Sequence, residues 1–165
     1  MIGKKDLDPV FGVHGLTLVE LIIAMAVFAI LSGIAVPRFK EQVQRYRFQS
    51  ASLELYGIFL FTKSEAIRQG RHVGLSVEGN KVQVFVDGNR NGKRDDADIL
   101  LRTFALSNAI RILDLADGSN RKVYVFNHRG MTEANDFGGT LVFEGAGGKK
   151  KIVVSKPANI RIDSV

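Results

Sequence analysis

The sequence predicts an α+β protein. One long N-terminal helix, membrane-spanning in its first half and amphipathic in its second, packs on an antiparallel β-sheet domain. Three observations predict it. Residues 16–36 form an apolar run broken only by Thr17, Glu20 and Ser32. Apolar residues at helical spacing resume after Pro37 and continue to Gln69. Seven or eight short β-rich runs, separated by turn clusters, then fill the rest of the chain. Strands in series after a helix indicate an α+β arrangement.

The chain divides on this reading into a leader at 1–15, a transmembrane helix at 16–36, an amphipathic helix at 37–70 and a β-rich domain at 71–165. The leader is short and basic, with Lys4 and Lys5, and has no apolar core. No small-x-small site follows the hydrophobic run, so the leader is not a secretory signal peptide. The apolar run, GLTLVELIIAMAVFAILSGIAVP at residues 15–37, contains no Lys, Arg or Asp. As a helix, residues 16–36 extend about 31 Å, which matches a hydrocarbon core of about 30 Å. Glu20 is an ionisable group inside that run, and such a group marks function by default. Snorkelling of its carboxylate to the headgroups is the plain alternative.

Pro37 removes a backbone donor and is expected to kink or loosen the helix. Beyond it, Phe39, Val43, Tyr46, Ser50, Leu53, Gly57, Leu60, Ser64 and Ile67 recur at three- and four-residue steps, which predicts one packing face. Small residues on that face, Ser50, Gly57 and Ser64, would admit a close neighbour. Gly70 is expected to cap the helix, with Arg68 in the last turn.

Strands are expected at 73–77, 81–87, 99–104, 110–113, 122–126, 139–143, 151–155 and 159–163. Glu78-Gly79-Asn80 is a hairpin signal between the first two. Turn clusters at 117–120, 127–138 and 145–148 separate the later ones.

Composition closes several routes to function. The chain of 165 residues has no cysteine, so a disulfide, a thiolate metal site and a Cys nucleophile are excluded. Formal net charge is +6, compatible with anionic partners such as nucleic acid or lipid. The leader carries two positive and two negative side chains, so its removal leaves that charge unchanged. His14, His72 and His128 are scattered without metal-ligand spacing. His72, alternating with apolar neighbours, is expected as an exposed strand residue. Ser50 and Ser64 have no His–Asp partner nearby in sequence. Gly145-Ala146-Gly147-Gly148-Lys149 has Phe143 and Lys150 where a phosphate loop needs Gly and Ser or Thr. A hairpin turn is the better reading, and no enzymatic activity is expected.

Two polar stretches remain. Lys149, Lys150, Lys151, Lys156 and Arg161 form a basic C-terminal cluster. It is a candidate for phosphate contacts, or a set of charges that keeps edge strands from pairing with other chains. Residues 87–98 read DGNRNGKRDDAD. As a twelve-residue loop this places Asp87, Asn89, Asn91, Asp95 and Asp98 at positions one, three, five, nine and twelve. Lys93 supplies its carbonyl at seven, and Gly92 stands at six, as a calcium loop requires. Ca²⁺ is a candidate cofactor on this reading, and the sequence requires no other. The alternative is a polar hairpin loop whose Asp and Asn side chains bond to their own backbone.

The basic leader, Gly15, Leu16, Thr17, Glu20, the apolar run and Pro37 together resemble the class III signal of type IV prepilins and type II secretion pseudopilins. That resemblance implies a pilin-like fold, cleavage after Gly15 by a prepilin peptidase, N-methylation of Leu16, and an assembly role for Glu20 as mature residue five. Phe is the usual first mature residue, so Leu16 departs from the pattern. SEAIRQGRHVGLSV at 64–77, FVDGNRNGKRDDADILLR at 85–102 and KIVVSKPANIRI at 151–162 resemble the GspH/FimT group, whose members are minor pseudopilins and minor type IV pilins.

The resemblance implies a structural subunit of a type II secretion pseudopilus with other pseudopilins or pilins as partners. The implied location is the inner membrane, single-pass, with the C-terminal domain periplasmic. Flanking charge alone points the other way, since Arg38, Lys40, Arg45 and Arg47 follow the span. The alternative function is a minor type IV pilin that binds DNA or a surface. In the FimT branch a Gly-Arg-x-Arg tail is associated with DNA. Here Ala158, Asn159, Ile160 and Arg161 stand at those places, and only the last Arg remains.

Overall fold

A computed structural model describes residues 17–113, 121–132, 139–155 and 159–165. The chain divides into two compact units at Lys40/Glu41. One helix, α1 (Leu18–Gln69), is 52 residues long and continues through Pro37.

Both ends of α1 are chemically closed. At its start the Thr17 N–H donates to Glu20 Oε2 at 3.0 Å, and the Glu20 N–H donates back to Thr17 Oγ1 at 3.2 Å. This reciprocal pair is a capping box. At its end Gly70 takes φ +65°, a left-handed conformation that costs glycine least. The Arg71 N–H then reaches the Ala66 carbonyl and the Gly70 N–H the Ile67 carbonyl, at 3.2 and 3.3 Å. That double closure is the Schellman arrangement expected of a glycine stop.

Eight strands follow. They are β1 (Val73–Glu78), β2 (Lys81–Val86), β3 (Ile99–Ala105), β4 (Arg111–Ile112), β5 (Arg121–Phe126), β6 (Gly139–Gly145), β7 (Gly148–Ser155) and β8 (Asn159–Ser164). They form two four-stranded sheets, ordered β3-β2-β1-β5 and β4-β6-β7-β8. Every pairing is antiparallel. Hairpin register follows the turn residues: Glu78 faces Lys81 across Gly79-Asn80, and Gly145 faces Gly148 across Ala146-Gly147. The glycine-rich stretch before Lys149 is thus a hairpin turn.

The core lies between the second half of α1 and both sheets. Phe48, Leu55 and Phe59 from the helix join Val73, Leu75 and Tyr124 of one sheet and Leu141, Phe143 and Ile152 of the other. Phe59 meets Tyr124 edge-on with ring centroids 5.0 Å apart, a favoured aromatic geometry.

Two expectations are corrected. The packing face of α1 is Phe48, Ala51, Ser52, Leu55, Ile58, Phe59, Thr62 and Ala66. Phe39, Tyr46, Leu53, Leu60 and Ile67, from the expected face, are exposed. The helix carries apolar residues on both stripes. The buried one disguises its two hydroxyls, because Ser52 and Thr62 donate to the Phe48 and Ile58 carbonyls one turn back, at 2.6 and 2.8 Å. His72 is buried. It precedes β1, and its carbonyl accepts the Asp87 N–H at 2.9 Å, which extends the β1–β2 pairing by one residue pair.

Candidate functional site

The first functional element is the start of α1. Residues 17–31 are all exposed within the chain. An 18-residue window of α1 reaches mean hydropathy 2.5, so this segment is long and apolar enough to cross a membrane. The Thr17 hydroxyl, like its N–H, donates to Glu20 Oε2, at 3.0 Å. The single charge in the run is therefore held by the residue three positions before it. Gly15 and Leu16 lie outside the described residues.

The second element is the loop between β2 and β3, residues 87–98. Asp87 is buried at the end of β2. Its Oδ1 and Oδ2 accept the N–H groups of Asn91 and Gly92 at 3.2 and 3.0 Å. Gly92 takes φ +70°, which turns the chain sharply at the sixth loop position. Asn89 Oδ1 accepts the Asn91 N–H and Asn91 Oδ1 the Lys93 N–H, at 3.1 and 2.8 Å. The Nδ2 groups of the same two residues converge on Asp95 Oδ2, at 2.8 and 2.7 Å. Those amide donors, Asn89 first, hold the Asp95 carboxyl below its ordinary pKa. Asp98 Oδ2 accepts the Asp95 N–H at 2.9 Å. Asn and Asp side chains therefore wire the loop to its own backbone, as the hairpin-loop alternative foresaw. Among the described residues, no three carboxylates or imidazoles are gathered as a metal centre.

The third element is the basic cluster. Alternation along β7 splits it. Ile152 and Val154 are buried, and Lys150 shares their face. Its Nζ lies 5.3 Å from the centre of the Phe48 ring. Lys149 and Lys151 point to the opposite face, and each has an acid across the ladder: Lys149 opposite Glu144, Lys151 opposite Asp163. Glu144 also binds Arg111 at 2.7 Å, and Asp163 binds Arg161 at 3.1 Å. The outer face is thus a mixed-charge surface. Lys156 lies outside the described residues.

Residues 51–157 match the family model of the type II transport protein GspH. Residues 11–36 match the prokaryotic N-terminal methylation motif. The chain is 30% identical over 156 residues to the pilin-like protein PilA1 of Thermus thermophilus, covering 91% of this chain and 98% of that protein. Among solved structures it is similar to the minor pseudopilin EpsH from the type 2 secretion system of Vibrio cholerae. There the TM-score is 0.46 at 13% identity, over 70% of this chain and 94% of the other. Its methylation motif and its domain match together place the chain in the GspH family, with an N-terminal helix long and apolar enough to anchor it in a membrane.

Proposed function

We propose that the chain is a structural subunit of a type II secretion pseudopilus in the inner membrane. A prepilin peptidase removes residues 1–15, Leu16 is N-methylated, and the subunit then enters a filament with other pseudopilins. The β domain faces the periplasm. The observation that carries this reading is the helix α1, whose apolar first half is exposed and whose second half is the spine of the β domain. Such a surface in one chain requires lipid before assembly and other apolar helices after it. Glu20 directs the packing: its carboxylate pairs with the amine that cleavage creates at Leu16 of a neighbouring subunit, an attraction strengthened by the low dielectric. The role is structural, and no catalytic step is assigned to the chain.

Co-isolation tests the proposal. Expressed beside its host's pseudopilins and peptidase, the chain is expected to co-purify with them from crosslinked membranes. Recovery of the processed chain alone, under conditions that retain the other subunits as complexes, would contradict it.

A second reading is favoured by one observation: the relative from Thermus thermophilus is a pilin-like protein. On that reading the chain is a minor type IV pilin, and Lys149, Lys151 and Arg161 contact DNA. Against it stand Glu144 and Asp163, which face Lys149 and Lys151 across the ladder, the ion pair of Asp163 with Arg161, and Asn159 in place of an Arg.

A further inference from the structure

The turn chemistry of residues 87–98 accounts for most of its polar side chains, but leaves two buried groups without a hydrogen-bond partner, Arg94 Nε and one oxygen of Asp98. Asp98 is 8% exposed, and its Oδ1 is buried with no hydrogen-bond partner. Its other oxygen is fixed on the Asp95 N–H, so the carboxylate is turned into the loop. A buried carboxylate oxygen without a donor is costly and demands an explanation. A second feature points the same way. Asp95 Oδ2 collects two amide donors, from Asn89 and Asn91. Two neutral donors converging on one carboxylate oxygen occupy the place that a cation would take.

We propose that this loop binds one calcium ion through the side-chain oxygens of Asp87, Asn89, Asn91, Asp95 and Asp98 and the backbone carbonyl of Lys93. The six groups supply the hard oxygens that calcium takes, at the spacing of a twelve-residue calcium loop, and binding requires the loop to draw together the three carboxylates, which the structure does not gather as a metal centre. The sharp turn this spacing needs is present at Gly92. The ion satisfies Asp98 Oδ1 and replaces the amide N–H groups at Asp95. Asn89 and Asn91 then turn their amides so that oxygen instead of nitrogen faces the centre. Magnesium fits less well, because it demands near-ideal octahedral geometry at shorter distances and dehydrates reluctantly.

Arg90, Lys93 and Arg94 lie in the same loop and weaken the field. Arg94 is partly engaged: its Nη1 donates to the Asp95 carbonyl and its guanidinium carbon stands 5.9 Å from the Phe85 ring centre, while its buried Nε has no hydrogen-bond partner. The dissociation constant is therefore of the weak extracellular class, about 10⁻⁴ to 10⁻³ M. The proposal is independent of the filament reading and stands or falls without it.

The test uses the full-length chain in detergent, stripped with EGTA and melted with 10 mM CaCl₂, 10 mM MgCl₂ or EGTA. Linkage at that concentration predicts a rise in Tm of about 3–11 °C with calcium. No comparable rise is expected with magnesium. Asp98→Asn removes the calcium shift, and so does Asp95→Asn, a half-exposed substitution that keeps the fold if Asp98→Asn does not. Coincident melting curves with calcium and EGTA overturn the proposal. So does an equal shift with magnesium, or a calcium shift that persists undiminished in Asp95→Asn.

Discussion

The ring of Phe48 lies against Gly147 so closely that a Cβ at the glycine would overlap it, and Gly145 in the same turn is equally crowded. Phe48 is 1% exposed and also packs on Phe143, with ring centroids 6.1 Å apart. One aromatic residue of α1 thus fixes the β6–β7 hairpin to the helix, and the turn is glycine-rich because the ring needs the space.

Gly147→Ala is therefore expected to cost about 1–3 kcal/mol by overpacking. Phe48→Ala costs about 3–5 kcal/mol through the cavity it leaves. Denaturant unfolding of the full-length chain in detergent measures both. A neutral Gly147→Ala would show that the hairpin is not held by the ring.

Glu20→Ala is expected to insert and to be processed, yet to enter filaments poorly. Glu20→Gln keeps a hydrogen-bonding side chain near Thr17 but loses the charge. If the negative charge matters, Glu20→Gln fails in assembly like Glu20→Ala. If capping is the whole role, Thr17→Ala and Glu20→Ala give the same modest loss, and Glu20→Gln assembles normally. Subunit content of sheared filaments, compared by immunoblot, separates the two.

Asp95 carries a pH prediction. Its folded pKa is lowered, chiefly by the Asn89 and Asn91 amides. The contribution is fully present above the ordinary carboxylate value of about 3.9. It is lost as pH falls through the lower folded value. Carboxyl-detected NMR of the metal-free chain should give an Asp95 midpoint below the ordinary value, and Asn89→Ala with Asn91→Ala should raise it. An Asp95 midpoint unchanged by those substitutions would show that the amides do not hold the carboxylate.

DNA binding by the full-length chain in detergent is expected to be weak, salt-sensitive and indifferent to sequence, with Kd of about 10⁻⁴ to 10⁻⁶ M. Arg161→Ala should leave it nearly unchanged, because Asp163 already engages that guanidinium. Tight binding abolished by Arg161→Ala would promote the pilin reading.

Much of the fold was legible in sequence because its signals are local. The apolar run, Gly70 as the stop, and all eight strands come from short-range pattern, and their ends fall within a few residues. The buried face of α1 was not legible. Apolar residues ring the helix, and which stripe packs is decided by the sheets, which place Phe143 and Tyr124 against Phe48 and Phe59. Ser52 and Thr62 read as polar in sequence, yet their bonds to the preceding turn suit them to burial. The basic cluster misled for a related reason. A row of lysines looks like one patch until strand alternation sends Lys150 to the Phe48 side and register places acids opposite its neighbours. In the 87–98 loop the spacing of Asp and Asn was visible, whereas the burial of Asp87 and Asp98 depends on the fold.

The central claim is that this is a processed filament subunit, and intact-mass spectrometry of the membrane-extracted chain tests it most directly. The account predicts a mature protein that begins at Leu16 and carries one added methyl group on its amine. A mature species that retains residues 1–15 in a host with an active prepilin peptidase would contradict it.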